Sequence, residues 1–174
     1  MRIPQPSTGD VVELVVADHR VFEELLRTCR DADADRDAAR AELSDLLVAH
    51  SLAEEEKVYP ALRRRRAIDG EEVEHGEHEH AQTNVALLAL LQCKGTDTAK
   101  FDTAIEELAT LLQHHIGEEE QTILNGARAD LAASDRLRLG ADFLRRRNAL
   151  LDEHAGALES VAALVEREQG ALDR

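Results

Sequence analysis

The chain has 174 residues and is 43% hydrophobic but only 2% aromatic, with no tryptophan and three prolines. This composition favours helices over strands, and the length suits one compact domain with a core. A formal net charge of −15 argues against binding to nucleic acid, and no apolar run approaches the roughly 20 residues of a membrane span. No secretory signal pattern is visible, and Cys29 and Cys93 lack metal-binding spacing, so we expect a cytoplasmic protein with reduced thiols.

Helical periodicity divides the first three quarters of the chain into four segments. A polar tail occupies residues 1–9, and the stretches DADADRD, AIDG and KGTD are interpreted as turns. No stretch alternates convincingly with the period of a strand. The predicted helices span about residues 10–30, 37–66, 71–93 and 97–125. Helices of this length joined by short turns predict an all-α, up-down four-helix bundle over residues 10–126.

The pattern changes after Gly126. Apolar residues then recur every seven positions, and this spacing predicts an additional long amphipathic C-terminal helix within residues 127–174, or two helices broken near Gly140 or Gly156. The run Arg145–Arg147 is interpreted as a solvated face. We expect this segment to lie against the bundle or to pair with a second subunit, so a homodimer through it is one alternative. The apolar row is Leu137, Leu144, Leu151, Leu158 and Val165.

An internal repeat places histidines and glutamates on the apolar faces of the helices. The segment LLVAHSLAEEEKV superposes on LLQHHIGEEEQTI at an offset of 65 residues. The repeat therefore predicts two consecutive helical hairpins. Each hairpin has one histidine on its first helix and His-x-x-x-Glu on its second. The superposed pairs are His50 with His115, Glu54 with Glu119 and, at an offset of 61 residues, His19 with His80.

Helical phase separates the repeated residues from their polar neighbours. Positions four apart lie on one face of a helix, so His50 and Glu54 continue the line of Leu47, whereas Glu55 and Glu56 are expected to turn toward solvent. Glu23, one turn after His19, is an alternative that could reach the same interior. The remaining histidines are interpreted as surface residues, namely His75, His78, His114 and His154.

Four imidazoles and two carboxylates converging inside a bundle suit a pair of transition-metal ions. Glutamates can bridge two ions, and two histidines can complete the ligands of each. The absence of cysteine ligands and the mixture of imidazole and carboxylate favour iron or manganese over zinc. The sequence therefore predicts a metal centre formed by His19, His50, Glu54, His80, His115 and Glu119.

Four segments also resemble the hemerythrin-like, or HHE cation-binding, domain family, and the resemblance covers about residues 10–126. It implies a left-handed four-helix bundle around two iron ions with an oxo or hydroxo bridge, with manganese or zinc as alternatives. It also implies terminal ligation by the four repeated histidines and bridging by Glu54 and Glu119. The matching segments are ADHRVFEELL, HSLAEEEKVYP, EHAQTNVALLAL and HHIGEEEQTIL.

Three positions differ from what the resemblance leads us to expect. Those members place a fifth histidine on the third helix, where this chain has Gly76 and Asn84 one turn either side of His80. Tyr59 matches a tyrosine of the family's motif, but an α-helix would point it away from the metals unless Pro60 distorts the turn.

A missing ligand leaves an open metal position for peroxide, dioxygen, nitric oxide or water. We therefore expect a protein that binds or reacts with these small molecules, and catalase-type decomposition of peroxide is the first enzyme activity to test. One alternative is an iron or oxygen sensor, or an iron-handling module, that signals through the C-terminal helix. Another is a di-iron oxidase of an organic substrate, which requires a substantial apolar pocket beside the metals.

Overall fold

The computed structural model describes residues 3–172, with side chains to residue 170, and no strand occurs in that range. The π-helical turn Glu54–Val58 joins α2 to α3 in one continuous helical rod. None of the helices in this described range is long and apolar enough to cross a membrane. The all-α prediction is confirmed. The helices are α1 (Val11–Arg30), α2 (Arg36–Ala53), α3 (Tyr59–Arg64), α4 (Gly70–Leu91), α5 (Ala99–Gln121), α6 (Ile123–Asp130), α7 (Ala133–Asp152) and α8 (Leu158–Leu172).

Side-chain caps fix where the bundle helices begin. The carboxylate of Asp10 accepts a hydrogen bond from the backbone N–H of Val12 at 3.0 Å, as its position at the start of the first helix predicts. Asp69 and Glu72 cap α4 reciprocally, each side chain accepting from the other's backbone N–H. Helices α1 and α2 then pack as one hairpin and α4 and α5 as a second, and the two hairpins form the four-helix bundle.

The C-terminal segment forms two helices on the outside of the bundle. Helix α7 packs against α1 and α2, and α8 packs against α4. The apolar row is largely buried by these contacts, although Leu137 and Leu158 remain 53% and 40% exposed. The apolar row, on which the homodimer alternative was based, therefore packs against the bundle of the same chain. The division of the chain at residues 126 and 127 stays a prediction.

The break between α7 and α8 lies at Gly156, one of the two predicted positions. Ser44 of α2 donates a hydrogen bond to the carbonyl of Gly156 at 2.7 Å, so the turn lies directly on that helix. A Cβ atom at Gly156 would lie 2.3 Å from the backbone nitrogen of Asp45. The other candidate, Gly140, stays inside α7 and is small because the carbonyl of Gly9 passes beside it.

Replacing Gly156 by alanine should lower the free energy of unfolding by about 1–3 kcal/mol, because the new methyl group meets backbone atoms that cannot move away. Gly117→Ala is the matched control, since a Cβ atom there meets nothing within 4 Å. That control should gain up to about 1 kcal/mol from its lower backbone entropy in the unfolded state. Urea unfolding followed by circular dichroism measures both. Equal stability of the two variants would contradict the packing of the turn on α2.

Candidate metal centre

The six side chains predicted as metal ligands meet in the interior of the bundle. One comes from α1, one from α2, one from the π-helical turn, one from α4 and two from α5. None is more than 3% exposed. In chain order they are His19, His50, Glu54, His80, His115 and Glu119.

The six residues form two groups of three, within each of which the potential ligand atoms lie within 4.8 Å of one another. One group is His19, His50 and Glu119, and the other is Glu54, His80 and His115. Each glutamate also reaches into the other group. Oε2 of Glu54 lies 3.1 Å from Nε2 of His50 and 3.5 Å from Nε2 of His80. Oε2 of Glu119 lies 3.2 Å from Nε2 of His19 and 3.8 Å from Nε2 of His115.

The polar atoms at the middle of this site lack ordinary partners. Nε2 of His19 and His50, both carboxylate oxygens of Glu54 and Oε2 of Glu119 are buried and contact one another, but none of them makes a hydrogen bond of good geometry. Buried polar atoms without partners cost several kcal/mol each, unless a bound ion satisfies them. Imidazole nitrogens and carboxylate oxygens are the ligands that iron and related transition metals accept. The residues present therefore fit a pair of such ions.

The other nitrogen of every imidazole in the site faces a carboxylate. Such carboxylates fix the tautomer in which Nδ1 carries the proton and Nε2 is free to bind a metal. The Nδ1 contacts are His19 with Glu120 at 2.9 Å, His50 with Asp18 at 3.1 Å, His80 with Glu55 at 2.8 Å and His115 with Glu79 at 3.0 Å.

Sequence reasoning missed these four outer carboxylates, although the repeat contained the signal. Asp18 precedes His19 as Glu79 precedes His80, at the same offset of 61 residues, and Glu55 matches Glu120 at the offset of 65. The expectation that Glu55 turns to solvent is wrong, because α4 lies on that side of the π-helical turn and presents the edge of the His80 ring.

Glu56 lies on the outer face of the turn, as predicted, where its carboxylate accepts two hydrogen bonds from Arg146.

Helix α7 reaches the site through one buried arginine. Arg147 is 1% exposed, and its Nη2 and Nε donate to the two carboxylate oxygens of Asp18, each at 2.6 Å. Burial favours the neutral form of Asp18, but His50 and Arg147 hold the pKa of its carboxyl below the usual range. The interpretation of Arg145–Arg147 as a solvated face is therefore wrong for Arg147. A residue beyond the bundle orients the carboxylate that orients His50.

Comparison with known proteins agrees with this arrangement. The family model for the hemerythrin HHE cation binding domain matches residues 10–126. The chain belongs to this family. An uncharacterized hemerythrin-like protein of Schizosaccharomyces pombe is 28% identical to it over 138 residues, which cover 78% of this chain and 68% of the relative. No solved structure matches the chain.

Within this HHE domain, Tyr59 lies against Gly76, which is one helical turn before His80. In an α-helix Tyr59 would be turned about 140° from Glu54. The wider π-helical turn, closed by the Tyr59 N–H on the Glu54 carbonyl, brings the ring inward instead. Its hydroxyl donates to Oε1 of Glu119 at 3.1 Å, and its ring stacks on His80 with the centroids 5.8 Å apart. The turn is thus distorted just before Pro60, which is the exception that the sequence allowed for, and Tyr59 points inward.

The absence of a side chain at Gly76 makes room for Tyr59. A Cβ atom at Gly76 would lie 3.1 Å from the tyrosine hydroxyl. Burial and the charges of Glu119 and Glu54 raise the pKa of Tyr59 well above its ordinary value, so the free phenol stays protonated and donates to Glu119. The tyrosine hydroxyl thus occupies the space beside Gly76 and contacts Glu119.

The remaining histidines lie outside the centre, as predicted. Glu23, the alternative raised for the interior, instead accepts a hydrogen bond from Arg20 at 2.6 Å on the exposed side of α1. The alternative that Glu23 reaches into the centre is therefore wrong. The exposed histidines are His75, His78, His114 and His154.

Two cavities border the centre. The larger has a volume of about 330 Å³, opens to the surface between α4 and α5, and reaches His115 and Glu119. The smaller has a volume of about 10 Å³ and lies beside His50, His80 and His115. It has room for roughly one water molecule or a diatomic molecule.

Without a metal, two of the imidazoles hold their protons strongly. Burial alone would lower the pKa of His50, but Glu54 and Asp18 raise it to about 10. Burial would likewise lower the pKa of His80, which Glu54 and Glu55 raise to about 10. Metal ions bind the neutral imidazole, so each of these protons must leave when an ion binds.

Replacing Arg147 by methionine should lower the free energy of unfolding by about 3–5 kcal/mol, because it leaves the charge of Asp18 buried without its partner. It should also weaken metal binding through the loss of orientation at His50. Chemical denaturation and competition with a metal chelator measure the two effects. Arg145→Met is the control, since Arg145 is exposed and pairs with Asp142 on the same helix. A loss no larger than that of the control would contradict the role given to Arg147.

The metal-free protein should lose stability as the pH rises from about 6.5, the ordinary histidine value, toward 10. The pKa values of His50 and His80 are higher in the folded chain than in the unfolded one, so their stabilising contribution is complete below the unfolded value and disappears near 10. The metal-loaded protein, in which both imidazoles are already neutral, should lack this loss. Urea unfolding at several pH values tests the difference, and identical pH profiles of the two forms would contradict it.

Proposed function

We propose that the HHE domain holds two iron ions, bridged by Glu54 and Glu119 and by an oxo or hydroxo group, and that this centre binds or reacts with peroxide, dioxygen or nitric oxide. The observation that carries the proposal is that each glutamate contacts imidazoles of both three-residue groups. A carboxylate in that position can serve both ions. Manganese or zinc are the alternative metals for the same donor set.

The ligand count supports chemistry with small molecules. Two imidazoles and two shared carboxylates give each ion four protein ligands, and iron bound by histidines and carboxylates commonly keeps further positions open. Iron at such positions supplies electrons and Lewis acidity. The protein's own contribution is a set of buried ligand side chains, together with the hydroxyl of Tyr59, which holds a proton beside Glu119.

The size of the adjoining space favours a ligand of one or two heavy atoms. The inner cavity of about 10 Å³ has room for a water-sized or diatomic molecule only. The outer cavity is lined mostly by glutamate and histidine side chains. An oxidase of an apolar organic substrate needs a substantial apolar pocket beside the metals. The inner cavity is too small for such a substrate, and carboxylates and imidazoles border the outer one.

A sensor is the second candidate, and one contact supports it. Arg147 on α7 binds Asp18, which binds His50, so a change at the metal would reach the C-terminal helix through two charged contacts. In that case gas or metal binding would alter the surface formed by α7. A homodimer through that surface and a cytoplasmic location stay predictions from the sequence.

Iron loading followed by a peroxide assay tests the proposal. The wild-type chain and Glu56→Ala should each hold about two irons after aerobic loading and show charge-transfer absorption, whereas Glu54→Ala and Glu119→Ala should lose iron. Glu56 is the matched control because its carboxylate faces Arg146 rather than the centre. Oxygen release from peroxide, followed with an electrode, would support the catalase-type activity, and slow bleaching without turnover would support the sensor. Full iron content in both Glu54→Ala and Glu119→Ala would contradict the bridging role.

A further inference from the structure

Glu79 has one carboxylate oxygen that the metal centre does not account for. The residue is 7% exposed, and its Oε2 accepts a hydrogen bond from Nδ1 of His115 at 3.0 Å. Its other oxygen, Oε1, is buried and has no hydrogen-bond partner. A buried carboxylate oxygen without a hydrogen-bond partner is costly in free energy, and a bound cation would stabilise it.

Two exposed imidazoles approach that oxygen from outside. Nε2 of His75, one turn earlier on α4, lies 3.5 Å from Oε1 of Glu79, and Nε2 of His114 on α5 lies 3.4 Å from it. These separations exceed those of good hydrogen bonds. An ion with tetrahedral bonds of about 2.1 Å to nitrogen and oxygen holds its ligand atoms about 3.4 Å apart. Each imidazole therefore lies at the distance from Oε1 of Glu79 that separates two ligands of one ion.

We propose that His75, Glu79 and His114 form an outer site for a divalent transition-metal ion, which captures Fe²⁺ on its way to the centre. The capture role rests on the proposed di-iron function. His75 and Glu79 line the cavity of about 330 Å³ that leads to His115 and Glu119. Further carboxylates line the same cavity, and clustered negative charge attracts cations. They belong to Glu71, Glu72 and Glu118.

The internal repeat shows how the two ends of the centre differ. Asp18 is the counterpart of Glu79, but Arg147 donates hydrogen bonds to both carboxylate oxygens of Asp18. Helix α7 packs against α1 and α2 at that end. At the offsets of the repeat, His75 corresponds to Leu14 and His114 to Ala49, both of which are buried apolar residues. The second hairpin thus has two exposed imidazoles and a cavity of about 330 Å³ at this position. The first has an arginine, a packed helix and a cavity of only about 40 Å³.

Binding requires a small movement of exposed side chains. Among the described residues, the ligand atoms of this trio do not all lie within 4.8 Å of one another. The side chains of His75 and His114 are 58% and 65% exposed, so their rings can turn toward Oε1 of Glu79 without disturbing the core. The buried carboxylate provides the fixed ligand, and the two imidazoles close on the ion.

A cobalt titration of the iron-loaded protein tests the outer site. The wild-type chain should bind one further equivalent of Co²⁺ with visible d–d absorption, while its iron content stays unchanged. The double variant His75→Gln/His114→Gln should lose this equivalent and keep the iron. His78→Gln is the matched control, because His78 is exposed on the same helix but contacts Gln82. It should bind cobalt as the wild type does.

Loading kinetics test the capture role. The metal-free double variant should take up Fe²⁺ about tenfold more slowly than the wild type, because it lacks the ligands that concentrate the ion at the cavity. Its final iron content should be unchanged.

The two proposals fail in different ways. A wild-type chain that holds iron but binds no further cobalt, or a double variant that still binds it, would overturn the outer site. Equal loading rates would overturn the capture role. A wild-type chain that cannot hold two irons would instead contradict the di-iron function.

Discussion

The arrangement of the bundle depends on burying four imidazoles and their carboxylates together in its interior. Burying an ionised group without a partner costs several kcal/mol, so each must be matched where it lies. Each imidazole has one carboxylate on its Nδ1 side, which leaves the Nε2 atoms directed at a shared space. Five of the polar atoms in that space make no hydrogen bond of good geometry, namely Nε2 of His19 and His50, both oxygens of Glu54 and Oε2 of Glu119. The surrounding helices hold the site in a form that a pair of cations would complete.

The C-terminal helices belong to this arrangement, although the family match ends at residue 126. Arg147 of α7 neutralises Asp18 in the interior, and the turn at Gly156 lies on α2 through its hydrogen bond with Ser44. The cavity beside Asp18 and Arg147 in the first hairpin is about 40 Å³, whereas the cavity beside Glu79 in the second is about 330 Å³ and opens to the surface. The two halves of the repeat share their ligand pattern but differ in access. Because of this difference, one side of the centre borders a cavity that opens to the surface. The other side contacts α7 through Asp18 and Arg147.

Much of the centre could be predicted from the sequence, because duplication and helical phase each restrict it independently. The six central residues share the offsets of the repeat and the apolar faces of their helices. Most neighbouring polar residues fail one of the two conditions, but Glu23 satisfies that of helical phase and therefore stayed an alternative. Tyr59 could not be placed, because its inward direction depends on a π-helical turn that the repeat does not mark. Glu55 and Glu56 could not be separated, because the difference between them depends on where α4 and α7 lie. Arg147 resembled its exposed neighbours until the packing of α7 on α1 was known.

Anomalous X-ray diffraction at the iron edge, from crystals of the aerobically iron-loaded chain, tests the central claim most directly. Two anomalous peaks should lie inside the bundle, each within bonding distance of two imidazole Nε2 atoms, and both should share the carboxylates of Glu54 and Glu119. A single peak, or peaks confined to the exposed acidic faces while those six side chains remain unligated, would contradict the account.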